Sequence, residues 1–307
     1  MCEKIYDILK GCIVVLLVGF ADVSWSQSDF RRFERQIWQM LDSMPAEVGV
    51  VFASDKGDTL FINGDMRFPM FSVVKLPQAL TVCQSLRNAR MSLNEDVIVK
   101  KSELVRNTWS PMRESHPEGG HFAVAKLLRY SLVQSDNNAF DILASRFAKM
   151  NEVDAYLHSL GIEDCSIRVD EKTMLQDPAQ CYLNWITPKA ASLLLDYCYQ
   201  TCDADAYNQF VWNALTQCTT GQDRIPKFIN DKVSFIAHKT GTGFVDDRGW
   251  IAAVNDMGVI GLPDGHHYNL VVFIKDAACP QEQCEALIAR ISHLCLEFYC
   301  GMDMFVH

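Results

Sequence analysis

The chain has 307 residues, 49% of them hydrophobic and 21% charged, which is enough for one large domain or two smaller ones with a real core. Its formal charge of −10 is not offset by any basic block, so a phosphate backbone would be repelled rather than neutralised, and nucleic acid is not an expected partner. The twelve cysteines come without a CxxC pair or a histidine cluster, so neither a metal site nor any other cofactor is expected.

Lys4 and Lys10 lead into the apolar run GCIVVLLVGFA, residues 11 to 21, followed by small and polar residues that include Ser24 and Ser26. That order predicts an export signal over residues 1–26, because the run is too short to cross a bilayer comfortably and small residues stand where a signal peptidase cuts. Glu3 and Asp7 keep an uncleaved anchor as the alternative. The expected location is periplasmic or secreted, with the membrane met only through the signal and the protein a monomer. In that compartment the ten cysteines from Cys83 to Cys300 are expected as buried thiols or, in part, as disulfides whose pairing the spacing does not fix.

In SDFRRFERQIWQML, Phe30, Phe33, Ile37 and Leu41 share one helical face, with Ser28 as the expected N-cap. EVGVVFAS and DTLFING read as two strands joined by Asp55-Lys56-Gly57-Asp58. Helical spacing then dominates, over 72–90, 121–133, 137–149, 151–160, 187–200 and 205–217. Strand character returns at VSFIAHK (233–239), GWIAAVN (249–255) and YNLVVFIK (268–275), and a last helix is predicted over 281–299. Strands at both ends with helices between imply one antiparallel sheet shared by the two ends, with an all-helical insertion. The predicted division is a discontinuous sheet domain, 27–66 with 220–307, and a helical domain, 67–219.

Four stretches carry candidate chemistry. In FPMFSVVKLP, Ser72 falls at a helix start and Lys75 shares its face three residues on, an amine within reach of a hydroxyl nucleophile. QSDNN places Ser135, Asp136 and Asn137 between two helices, where taken singly it is an ordinary N-cap. AHKTGTG ends a strand with Lys239, Thr240 and Gly241, then Thr242 and Gly243. CTTGQDRIP carries Arg224, a residue type more often found on a plain surface. A fifth stretch, VDEKTMLQ, offers Glu171 and its neighbour Asp170 as carboxylates on a loop.

S-x-x-K, then S-D-N, then K-T-G is the signature of the serine-reactive penicillin-recognising enzymes, and the whole chain after the signal resembles a class A β-lactamase. NTWSPM, LRYSLVQSDNNA, NWITP and TGQDRI are similar to the CfxA-like and PER-like branch of that class. The resemblance implies an α/β (α+β) fold of the β-lactamase/transpeptidase type, with a five-stranded antiparallel sheet flanked by helices. It implies Ser72 as the acylated nucleophile, Lys75 as proton acceptor or relay, and Ser135 as proton donor to the lactam nitrogen. Asn137 would bind the substrate side-chain amide, and Lys239, Thr240, Thr242 and Arg224 its carboxylate. The backbone N–H groups of Ser72 and Thr242 would form the oxyanion hole, and Trp109 would stand at the cleft entrance.

Turnover needs a second base, and the family's E-x-x-L-N pattern falls on Glu171-Lys172-Thr173-Met174-Leu175. Glu171 matches that pattern better than Asp170. Leu175 stands where an asparagine normally helps hold the attacking water, leaving a backbone carbonyl or Asn137 to do so. The family's loop salt bridge is missing too, since its two positions fall on Val169 and Asn184. The expected reaction is hydrolysis of a small-molecule β-lactam, with the branch resemblance implying a preference for cephalosporins. The alternatives are a DD-peptidase acting on cell-wall peptides, which generally lacks the loop glutamate, and a penicillin sensor that is acylated without turnover.

Overall fold

A computed structural model of the chain describes residues 27–301. The proposed export signal over 1–26 lies outside the described residues. The chain opens with helix α1 (Gln27–Leu41), strands β1 (Glu47–Ser54) and β2 (Thr59–Ile62), and the two-residue strand β3 (Phe68–Pro69). A 3₁₀ turn at Phe71–Val74 runs directly into α2 (Lys75–Ala89). There follow β4 (Asp96–Lys100), α3 (Pro111–Ser115), β5 (Gly119–Ala123), α4 (Val124–Val133), α5 (Asn137–Arg146) and α6 (Met150–Ser159). Next come β6 (Cys165–Ser166), α7 (Glu171–Gln176), a 3₁₀ segment at Pro178–Leu183, β7 (Trp185–Ile186), α8 (Pro188–Gln200) and α9 (Ala206–Leu215). The chain closes with β8 (Phe235–Thr242), β9 (Ile251–Gly261), β10 (His267–Ala277) and α10 (Gln281–Cys300).

The main sheet has five antiparallel strands in the order β2-β1-β10-β9-β8, so both ends of the chain contribute to it as expected. Alternation along each strand sends successive side chains to opposite faces. In β10, Leu270, Val272 and Ile274 join one core with Phe33, Phe52 and Phe298, while Val271 and Phe273 join the other. Helices cover both faces, which is why these strands read as continuous apolar runs rather than alternating ones. On the first face the Phe33 and Phe298 rings stack at 4.2 Å, locking α1 to α10. On the second, α8 packs against β1, β9 and β10 beneath the remaining helices.

Several local expectations change. Helix α1 begins at Gln27, so Ser28 sits inside its first turn rather than capping it. Residues 121–123 are not helical: they end β5, which pairs with β4 in a two-stranded ribbon, Val97 opposite Phe122. The helix predicted from residue 72 divides into the 3₁₀ turn and α2. Strand β9 runs six residues beyond its predicted end at Asn255, from Asp256 to Gly261, because the buried Asp256 carboxylate finds His238 across the sheet on β8. All ten described cysteines are free thiols; the sulfurs of Cys279 and Cys284 lie 3.6 Å apart. Among the described residues no helix is long and apolar enough to cross a membrane.

Candidate active site

The 3₁₀ turn decides how Ser72 and Lys75 meet. Three residues per turn bring side chains at i and i+3 onto one edge, and Lys75 Nζ donates to Ser72 Oγ at 2.6 Å. Phe71, just before Ser72, is held at φ +46°, a left-handed conformation that is uncommon for a bulky residue and is maintained by the packing around it. The turn is tied down on both sides: Met70 N–H donates to the Asn184 carbonyl at 2.8 Å, and the buried Asn255 amide donates to the Pro69 carbonyl at 2.8 Å.

Lys75 is fully buried and reaches four residues. Besides Ser72, its Nζ contacts Asn137 Oδ1 at 2.5 Å, Ser135 O at 3.1 Å and Glu171 Oε1 at 3.3 Å. The ion pair with Glu171 is shielded, with side chains 0% and 9% exposed. An ammonium this crowded with acceptors is a junction through which a proton can pass between the serine and the carboxylate.

The S-D-N stretch is shaped by Asp136. Its carboxylate caps α5 through Ala139 N–H at 2.8 Å and also accepts from Met112 N–H and the Ser110 hydroxyl. That anchoring leaves Ser135 at φ +57°, with its hydroxyl accepting from Lys239 Nζ at 3.0 Å. Asn137 spends its other amide end on Thr108 Oγ1 at 2.7 Å. Trp109 is 58% exposed, its indole N–H on the Gln134 carbonyl and its own carbonyl on Asn137 N–H.

Strand β8 is an edge strand, and its outer side faces the turn that carries Ser72. A Cβ on Gly241 would lie 2.5 Å from the Met70 carbonyl oxygen and 3.4 Å from the Ser72 nitrogen, so only glycine lets the two backbones approach this closely. Lys239 is wholly buried; burial and the charge of Lys75 bring it down to about 7. Arg224, 3% exposed, donates to the carbonyls of Gly241 and Asn255, to Thr242 Oγ1 at 2.6 Å and to Glu285 Oε1 at 3.2 Å. Its fork is thus saturated, and it presents the exposed Thr242 hydroxyl rather than a bare guanidinium.

Glu171 opens α7 and is 8% exposed, whereas Asp170 spends its carboxylate capping that helix at Thr173 N–H and Oγ1. The geometry therefore sets Glu171, not Asp170, beside Lys75. Sequence reading missed Asp141, which accepts from Glu171 N–H at 3.0 Å. Burial, reinforced by the charges of Glu171 and Asp170, pushes the Asp141 carboxyl well above the ordinary range. Its i+4 spacing from Asn137 was the available signal, since it places both on one face of α5. Where a loop salt bridge was expected and missing, the Asn184 amide closes the neck instead: Oδ1 accepts from Arg168 and Val169 N–H, and Nδ2 donates to the Val169 carbonyl at 2.7 Å.

Comparison with known proteins gives a consistent picture. Residues 32–299 match the model of the beta-lactamase enzyme family. The chain is 33% identical to Beta-lactamase VEB-1 of Pseudomonas aeruginosa, covering 95% of this chain and 98% of that protein. It is also 33% identical to the extended-spectrum beta-lactamase PER-1 of the same organism, over 92% of each. Among solved structures, a class A beta-lactamase from Bacteroides cellulosilyticus superposes with a TM-score of 0.84 at 30% identity, covering 89% of this chain and 99% of that one.

Proposed function

The chain belongs to the class A branch of the beta-lactamase enzyme family, and from that premise we infer how its residues divide the hydrolysis of a β-lactam ring. Ser72 Oγ attacks the lactam carbonyl carbon, and the ring C–N bond breaks as Ser135 passes a proton to the departing nitrogen. Lys75 takes up the serine proton. Because its Nζ donates to Ser72 Oγ in the resting arrangement, one of its protons must first move to Glu171, the one carboxylate it touches among the described residues. The backbone N–H groups of Ser72 and Thr242 receive the developing oxyanion, worth about 3 kcal/mol per donor in comparable acyl-transfer sites. Lys239, Thr240 and the Thr242 hydroxyl oriented by Arg224 hold the substrate carboxylate, and Asn137 the side-chain amide. Trp109 flanks the entrance.

Deacylation falls to Glu171: once Lys75 has restored the Ser135 proton across 3.5 Å and Glu171 has handed its own back to Lys75, the free carboxylate draws a proton from water as that water attacks the ester carbonyl. Leu175 offers this water no hydrogen bond, so its position depends on Glu171 and on Asn137, whose Oδ1 is within reach of the same lysine. No cofactor enters the scheme. The extended-spectrum name of PER-1 and the exposed Thr242 support oxyimino-cephalosporins as substrates, and the predicted signal supports a periplasmic or secreted location. The observation that carries the assignment is the single buried Lys75 ammonium joining Ser72, Asn137 and Glu171. Nitrocefin hydrolysis by the purified protein, abolished in Ser72→Ala, is the expected result; an undiminished rate in that variant refutes the nucleophile. A stoichiometric burst without turnover would point to a cell-wall peptidase or sensor instead.

A further inference from the structure

A second cluster of chemistry-bearing side chains lies behind β8. His238 precedes Lys239 on β8, and strand alternation turns its side chain away from the face that presents Lys239. His238, 2% exposed, meets Asp256 through Nδ1 at 3.0 Å, and the Cys218 thiol stands close enough to its ring for their charges to interact. Asp256 is fixed in turn by Ile225 N–H at 3.2 Å. The three side chains make a thiol–imidazole–carboxylate row that β-lactam hydrolysis does not use. Cys218 and His238 also line an open cavity of about 490 Å³, walled by Trp212, Gln222 and Phe235. That volume takes a small molecule, and Cys218, 8% exposed, stands in its wall.

Two observations separate Cys218 from the other thiols. Burial alone would raise it, yet the neighbouring charges of His238 and Lys239 outweigh burial and bring it down to about 6. Burial likewise disfavours the imidazolium, but Asp256 and Cys218 hold His238 up to about 10. By contrast, burial pushes Cys83, Cys165 and Cys198 up to about 12, and raises the exposed Cys300 as well. Second, Cys218 is wired to the front of β8. Its Sγ lies 3.3 Å from Thr220 Oγ1, which lies 2.6 Å from Thr240 Oγ1. Its negative charge also favours the protonated form of Lys239.

We propose that Cys218 is a nucleophilic thiol site which opens small neutral disulfides inside this cavity, and that its occupation weakens the carboxylate subsite on the other side of β8. In the reaction the Cys218 thiolate attacks one sulfur of the disulfide. A new S–S bond forms as the reagent's own S–S bond breaks, and the departing thiolate takes a proton from solvent. The Cys218 sulfur is oxidised and the leaving sulfur reduced, so the disulfide is the only oxidant required. The mixed disulfide carries no charge beside Lys239 and no acceptor for Thr220, so Lys239 loses its proton more readily and Thr240 loses its anchored partner. The coupling to substrate rests on the assignment of Lys239 and Thr240 above; the labelling of Cys218 does not.

The test treats the folded enzyme with one equivalent of dithiodipyridine, a neutral aromatic disulfide, in slightly acid buffer, followed by peptide mapping and nitrocefin kinetics. The expected label is on Cys218 rather than on the exposed Cys300 or the half-buried Cys202. The labelled enzyme should show KM raised about tenfold with kcat kept within about twofold, and a reductant should restore it. Cys218→Ser also lacks the thiolate charge, so its KM should lie between those of the parent and the labelled enzyme; it should lose the fast labelling phase, and treatment should leave its KM where it was. A first equivalent that lands on another cysteine overturns the site. A label on Cys218 with KM unchanged overturns the coupling. An unlabelled enzyme that cannot turn over nitrocefin refutes the hydrolase reading but leaves the labelling result to be judged by itself.

Discussion

Asn184→Ala tests what closes the loop that carries Glu171. Asn184 is fully buried, and its side-chain amide is spent entirely on the loop neck: two backbone N–H groups, of Arg168 and Val169, donate to Oδ1 at 2.7 and 3.0 Å, and Nδ2 donates to the Val169 carbonyl. Alanine orphans all three backbone groups. At about 1–3 kcal/mol for each unsatisfied buried group, the closed loop loses about 3 kcal/mol at the least, on the order of a hundredfold in its closing equilibrium. A loop with few ties can open locally without unfolding the rest, so hydrogen exchange of the loop amides and the rate of acyl-enzyme decay read the effect better than the global melting temperature. Loop amides should exchange on the order of a hundredfold faster, and deacylation should slow at least about tenfold while acylation changes less. Asn184→Asp keeps the two accepted hydrogen bonds but faces an oxygen toward the Val169 carbonyl, so it should fall between. Unchanged exchange together with deacylation within about twofold of the parent would refute the reasoning.

Four further outcomes follow from the same geometry. Burial, with the charge of Lys75, holds Lys239 at about 7 against an ordinary 10.5, so kcat/KM for carboxylate-bearing substrates should fall as pH rises through about 7 while a neutral ester analogue shows no such fall; a flat profile contradicts it. Because the unfolded chain keeps the lysine proton up to 10.5, this group's contribution to stability should rise between about 7 and 10.5. Arg224→Ala leaves Glu285, Thr242 and two carbonyls without their donor, and should raise KM about tenfold to a hundredfold and cost about 3 kcal/mol in urea unfolding; Arg224→Lys should recover little, since an ammonium cannot reproduce the fork. Gly241→Ala forces a Cβ to within 2.5 Å of the Met70 carbonyl, and should slow acylation at least about tenfold by pushing β8 from the Ser72 turn; unaltered acylation would contradict the close seat of that turn.

The main sheet, the last helix and most central helices were legible because their signals are local: apolar spacing, caps and turn residues within a few positions. Strand β4 was hidden because Asp96–Lys100 is only five residues long and finds its partner 23 residues on, where the apolar spacing of α4 masks β5. The far half of β9 was hidden by Asp256, a charged residue that a strand pattern rejects directly after the polar Asn255 at the predicted end. Their justification is tertiary: Asn255 anchors Pro69 and Asp256 holds His238. In the site, the three motifs named Ser72, Lys75, Ser135 and Lys239 because each is marked by residues beside it. What the motifs could not give is the second layer. Glu285 lies 61 positions from Arg224, and Asp141 lies 30 from Glu171, so only folding brings them together. The saturation of Arg224, which turns an expected direct ligand into an orienter of Thr242, is a fact of five N–H groups and their partners that no single stretch of sequence contains.

The central claim is that Glu171 activates the deacylating water after Ser72 has been acylated. Mass spectrometry of Glu171→Gln mixed with a cephalosporin tests it most directly, because glutamine keeps the size of the side chain and removes its basicity. The account predicts a stable adduct on Ser72 that persists for minutes or longer while the parent enzyme returns to its free mass. Turnover of Glu171→Gln at the parent rate, with no adduct accumulating, would contradict it.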